Sequence, residues 1–111
     1  MASYIPKQGD FVTVTFDPQS GHERKGRRPA LVVSKDAFNR GMGLAIVCPV
    51  TNTRRGFPFH VPVPAGSRLT GFIMVEQVKS LDFRARDARQ IERAPDELLA
   101  EVLSILDACI Y

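Results

Sequence analysis

The apolar and polar positions of this chain follow two periods. Phe11-Val12-Thr13-Val14-Thr15-Phe16 is opened by Gly9-Asp10 and stopped by Asp17-Pro18. It alternates every second residue and predicts a strand. Residues 19–27 are polar, with bends at Gly21 and Gly26, and read as a loop. Pro29 then starts Ala30-Leu31-Val32-Val33, a continuous apolar run expected of a central strand buried on both faces. Ser34 stands where it would cap one helical turn through Ala37 and Phe38, ended by Gly41. Leu44 to Cys48 predicts another buried strand, and Pro49 limits how far it stays in a ladder. Phe57 to Val63 alternates but carries Pro58 and Pro62, with Pro64 just after, which assigns it to a sheet edge. Gly71 to Val78 and Leu81 to Arg86 predict two more strands.

The last segment changes period. Pro95 stands at a first helical position, and Asp96 and Glu97 suit the positive end of a helix dipole. Leu99, Val102, Leu103, Leu106 and Ile110 recur at helical spacing. The expected fold is therefore mainly β: five or six short strands in a small barrel, a brief helical turn and a C-terminal amphipathic helix.

Composition removes whole classes. At 111 residues, 44% hydrophobic and 24% charged, the chain is expected to form one globular domain, residues 1–111. No apolar run nears the ~20 residues that span a bilayer, and the opening MASYIPKQGD is too polar for a signal peptide. A soluble, cytoplasmic protein without a membrane partner is expected. Cys48 and Cys109 form no paired motif, and His22 and His60 make no metal-ligand spacing, so no metal is expected. Charge is informative once located. Residues 20–60 hold eight Lys or Arg against Glu23 and Asp36, a balance of +6; residues 90–111 hold Arg93 against five acids, a balance of −4. A basic first half suits a polyanion such as nucleic acid, and equally a solvated cationic face.

The loop Gly21-His22-Glu23-Arg24-Lys25-Gly26-Arg27-Arg28-Pro29 places four cations around one carboxylate beside a buried strand. Arg28 is the cation expected to be held, because Pro29 restricts its backbone. A held guanidinium binds phosphate oxygens in a fork, whereas an unheld one only solvates the loop. Thr51-Asn52-Thr53-Arg54-Arg55-Gly56 puts a hydroxyl and an amide past a strand end, the usual place for turn residues but also for donors to an anion or base edge. Strand alternation would set Gln77 and Lys79 on one face, lining a groove or facing solvent. Phe16 and Phe57 flank the polar loops, either packing at a core edge or stacking bases.

In order along the chain, these segments resemble the MazF/PemK toxin ribonucleases of bacterial toxin–antitoxin pairs. The resemblance runs through Gly9-Asp10, Phe16-Asp17-Pro18, Gly21-x-Glu23-x-x-Gly26-x-Arg28-Pro29, Ala30-Leu31-Val32-Val33-Ser34, Pro49-x-Thr51 and Gly56-Phe57-Pro58-Phe59. It continues through Gln77-Val78-Lys79-Ser80, Arg84-x-Arg86 and Pro95. It implies a small SH3-like barrel with short helices, usually a homodimer. The implied activity is cleavage of single-stranded RNA at short sequences, without a metal or cofactor, leaving a 2′,3′-cyclic phosphate and a 5′-hydroxyl.

The resemblance further implies that Arg28 and Thr51 are the principal catalytic positions, with Glu23 as a further contributor and base candidate. Phe16 and Phe57 would stack bases, Asn52 and Gln77 would read base edges, and Lys79 and Arg27 would meet phosphates. Arg27 stands where a familiar member has His, so no histidine proton shuttle is carried over. A MazE-like antitoxin with an acidic disordered segment is the implied protein partner. Two alternatives share the fold: a gyrase-poisoning toxin and a non-catalytic RNA-binding barrel. The first leans on a C-terminal Trp, and this chain has no Trp and ends Cys109-Ile110-Tyr111.

Overall fold

A computed structural model describes residues 4–16 and 26–111. Seven strands are present among them: β1 (Asp10–Thr15), β2 (Arg27–Val32), β3 (Ala45–Thr51), β4 (His60–Pro62), β5 (Phe72–Met74), β6 (Lys79–Leu81) and β7 (Arg89–Arg93). Helix α1 (Asp36–Met42) separates β2 from β3, and α2 (Asp96–Ile110) ends the chain. All pairings are antiparallel, in the order β4-β5-β3-β2-β1-β7, and β6 also pairs with β3. The expected mainly-β architecture with a C-terminal helix is the one the chain adopts.

Alternation divides the core between the two faces of the sheet. Phe11, Leu31, Cys48, Val50, Val61 and Ile73 pack on one face with Leu98 and Val102 of α2. Val12, Val14, Ala30, Val32, Ala45 and Val47 form a second cluster on the other face, closed by Leu81 and Phe83. The run at Ala30 is thus buried on both sides, as its unbroken apolar character predicts.

Two prolines decide where the sheet opens. Val33 N donates to Ile46 O, so along β2 and β3 the pair Ala30–Pro49 is one that exchanges no hydrogen bonds. The N–H that Pro49 lacks would point away from β2, where β3 changes partner from β6 (Ala45–Val47) to β5 (Val50–Thr51). Pro49 therefore sits inside β3 instead of ending it. Pro29 has no N–H to give Val50, and the β2–β3 pairing stops at Ala30–Pro49.

Several expectations need correction. The segment expected as one strand from Gly71 to Val78 breaks after Met74 into a single 3-10 turn, Val75–Gln77. Leu81 to Arg86 is not a strand: β6 ends at Leu81, and Asp82 Oδ1 accepts the amides of Arg84 and Ala85 to start a turn. The polar strand β7 is additional. Ser34 does not cap α1; its hydroxyl donates to Asn39 Oδ1 (2.5 Å) and accepts from Ile46 N (2.8 Å). That helix runs through Gly41 and ends at Gly43, whose φ of +70° is the left-handed region glycine tolerates. Pro95 precedes the first helical residue of α2 in an extended conformation. The buried face of α2 is led by Leu98 and Val102, while Ile110 is exposed.

Candidate active site

The two principal candidates lie on neighbouring strands, just past the end of their shared ladder: β2 pairs with β3 from Val32–Val47 to Ala30–Pro49, Arg28 comes two residues before Ala30, and Thr51 two residues after Pro49. Arg28 pairs with Val14 and Lys79 with Val47, both members of the second core cluster, so Arg28, Lys79 and Thr51 share that face. Phe16 packs at the edge of the same cluster, and Lys79 Nζ lies 5.1 Å from the centre of its ring.

Thr51 is held from several sides. It pairs with Phe72 on β5, and its Oγ1 accepts the amide of Thr53 at 3.2 Å. With one acceptor position occupied, its hydroxyl proton is what it has to offer an anion. Gly71 makes this possible: a Cβ there would lie 2.5 Å from Thr51 O, and its φ is +126°. Sequence reasoning treated Gly71 only as the start of a strand, although a glycine at a strand mouth is the signal for close backbone approach. Asn52 follows, exposed, with Oδ1 accepting the Thr70 hydroxyl at 3.0 Å.

Phe57 lies in the segment before β4, which pairs with β5, the neighbour of Thr51. Its ring is half-exposed and sits edge-on to His60 at 5.0 Å between ring centres. His60 Nε2 lies 2.9 Å from Glu76 Oε2, while its buried Nδ1 has no partner among the described residues. Gln77 is exposed in the turn beside Glu76, so the strand argument pairing it with Lys79 does not hold.

Arg27 is not with this group. It points to the opposite face of β2 and is bound to Thr13, Thr15 and the 82–88 turn. Glu23 lies outside the described residues. Among the described residues, no three His, Cys, Asp or Glu side chains come together as metal ligands.

A buried network that sequence reasoning missed supports the far end of β1. Asp10, 2% exposed, accepts from Tyr4 Oη (2.5 Å), Lys7 N (3.0 Å) and Gln90 Nε2 (3.1 Å). Burial, with the Asp10 carboxylate beside it, pushes the Tyr4 phenol well above its ordinary range. On the other face, burial and then the nearby Glu76 charge push the Cys48 thiol up to about 12, leaving it neutral and inert.

A small antiparallel barrel with an arginine, a lysine and a hydroxyl on one face and a Phe beside them offers groups chemically suited to a phosphate. Comparison with known proteins narrows that class. Residues 7–110 match the family described as PemK-like, MazF-like toxin of type II toxin-antitoxin system, and the chain belongs to that family. It is 42% identical over 109 residues to the endoribonuclease toxin ChpB of Escherichia coli K12, covering 94% of this chain and 93% of that protein. It is 39% identical over 99 residues to the endoribonuclease toxin MazF of the same strain, covering 88% of each. Among solved structures it is similar to MazF of Deinococcus radiodurans, with a TM-score of 0.87, 44% identity and coverage of 97% and 98%. A MazE–MazF complex from that organism gives a TM-score of 0.86 at 39% identity, with 97% of each chain covered.

Proposed function

We propose that this protein is a toxin endoribonuclease that cleaves single-stranded RNA at short sequences without a metal. The observation that carries the reading is that Arg28, Thr51 and Lys79 share one face of the sheet, with Phe16 beside Lys79.

In RNA the 2′-hydroxyl already lies beside the phosphorus, so the protein's work is alignment and charge stabilisation. The 2′-oxygen gives its proton to a base and bonds to phosphorus. The P–O5′ bond then breaks, and the departing 5′-oxygen takes up a proton. A 2′,3′-cyclic phosphate and a 5′-hydroxyl result. Arg28 stabilises the charge gathering on the non-bridging oxygens, and the Thr51 hydroxyl donates to one of them. Guanidinium, ionised below a pH of about 12, is the stabiliser and not the base; Glu23 takes the base role. Lys79 meets a flanking phosphate, Phe16 and Phe57 stack bases, and Asn52 and Gln77 read base edges.

No described helix is long and apolar enough to cross a membrane, and we place the protein in the cytoplasm, where its substrate is. Residues 1–111 form one domain that pairs as a homodimer. Its antagonist is a MazE-like antitoxin whose acidic segment occupies the cationic face, and the MazE–MazF complex among the similar structures supports this reading.

The test is cleavage of a long single-stranded RNA by purified protein in EDTA, beside Arg28→Ala and Thr51→Ala. Cuts at a recurring short motif, reduced at least 100-fold by either substitution, are expected, since one lost transition-state donor costs about 10²–10³ in rate. A wild type that makes no cuts at low salt and free of antitoxin sinks the reading.

A further inference from the structure

We propose that Arg27 is a positioning residue for Arg28: it brackets the strand from behind and does not contact RNA. The inference rests on the ribonuclease reading above.

Neighbours on a strand point to opposite faces, so the backbone that puts Arg28 on the face of Thr51 and Lys79 sends Arg27 the other way. There both terminal nitrogens of its guanidinium are engaged. Nη1 donates to Thr15 Oγ1 (3.3 Å), Arg86 O (3.3 Å) and Asp87 O (2.7 Å). Nη2 donates to Thr13 Oγ1 (2.6 Å) and Thr13 O (3.3 Å). The Asp87 carboxylate adds an ion pair at 3.6 Å. Both terminal nitrogens are thus occupied, and a phosphate could take the fork they form only by dismantling these contacts.

The bracket is reciprocal. Arg86 Nη1 reaches back to Thr15 O (3.1 Å) and Phe16 O, and Thr15 N donates to Arg86 O (2.9 Å). Asp87 presents its carbonyl and carboxylate to Arg27 from a left-handed conformation, φ +51°, which few side chains adopt. The end of β1, the start of β2 and the 82–88 turn are therefore tied into one hydrogen-bonded unit. Phe16 and Arg28, on the site face, both spring from it. Arg28 is held on one side by this unit and on the other by Pro29, with its fixed φ. A guanidinium held before substrate arrives stabilises charge without reorganising at the moment of reaction.

The experiment compares wild type, Arg27→Ala, Arg27→Lys and the shape-preserving Thr13→Val. It measures single-turnover cleavage, and also binding of an RNA carrying 2′-deoxyribose at the cut position, over a salt series. Arg27→Ala is expected to lower the cleavage rate at saturating RNA at least 10-fold. Affinity for the uncleavable RNA should stay within twofold, with an unchanged salt slope. Arg27→Lys should recover part of the rate, and Thr13→Val should lower it in the same sense. Two results overturn the proposal. One is a rate within twofold of wild type in both Arg27→Ala and Thr13→Val. The other is weakened binding with a salt slope reduced by about 0.7, the mark of a lost phosphate contact on a single strand. If Arg27→Ala fails to fold, Thr13→Val alone decides. A wild type that cleaves nothing sinks the ribonuclease reading itself, whereas a cleaving wild type with an indifferent Arg27 sinks only the bracket.

Discussion

Arg27 and Arg28 are adjacent, alike in chemistry and opposite in direction. Composition cannot separate them, because both are cations in a basic loop before a buried strand. What separates them is which face of β2 each takes, and that depends on the register with β1, where Val14 lies across from Arg28 and Thr15 across from Arg27. Cys48 shows the same dependence on surroundings. Its pKa is raised, so the folded state holds the thiol proton more tightly than the unfolded chain does. The associated stability is complete below about pH 9 and is lost as pH rises toward 12. The urea midpoint of the wild type should therefore fall between pH 9 and 11. Cys48→Ala, less stable at neutral pH through its lost packing, should fall less, so that the two converge. Parallel curves would show that folding does not raise the Cys48 pKa.

The C-terminal end of helix α1 tests how local chemistry sets an element's length. Gly41 lies inside the helix with open space around it, and Gly43 ends it at φ +70°. Gly41→Ala should stabilise the protein by about 0.5–1 kcal/mol through helix propensity. Gly43→Ala should destabilise it by about 1 kcal/mol because alanine resists the left-handed conformation. Thermal unfolding of the pair checks both signs; stabilisation by Gly43→Ala would mean the helix continues past it. Strands with apolar runs, β1 to β3, were legible in the sequence because burial dictates their composition. Strand β7 was not. Arg89-Gln90-Ile91-Glu92-Arg93 has little apolar character, since it lies at the end of the sheet beside β1 and buries little beyond part of Ile91. Backbone pairing, which leaves no trace in hydrophobicity, creates it. The α2 helix was legible as a helix but less so in orientation. Apolar residues cover a wide arc from Leu98 to Leu106, and packing against the sheet selects Leu98 and Val102 from within it.

The cationic face brings together residues from distant parts of the chain: Phe16, Arg28, Thr51 and Lys79 meet because β1, β2, β3 and β6 are neighbours. RNA affinity should accordingly fall with salt, and Lys79→Ala should reduce the slope of log K against log salt by about 0.7 while leaving a cleavable RNA's cut motif unchanged. Equilibrium binding of the uncleavable RNA across a salt series measures it; an unchanged slope would remove Lys79 from the RNA path. The chain by itself determined the mainly-β class and the C-terminal helix, because periodicity is a property of the linear chain. It did not determine that Pro29 stops the ladder and Pro49 falls where β3 changes partners, that Gly71 makes room for Thr51, or that Arg27 turns from the site. Those outcomes depend on which edges pair, in which register and on which face. Long-range hydrogen bonding and packing decide such matters only once the strands have come together.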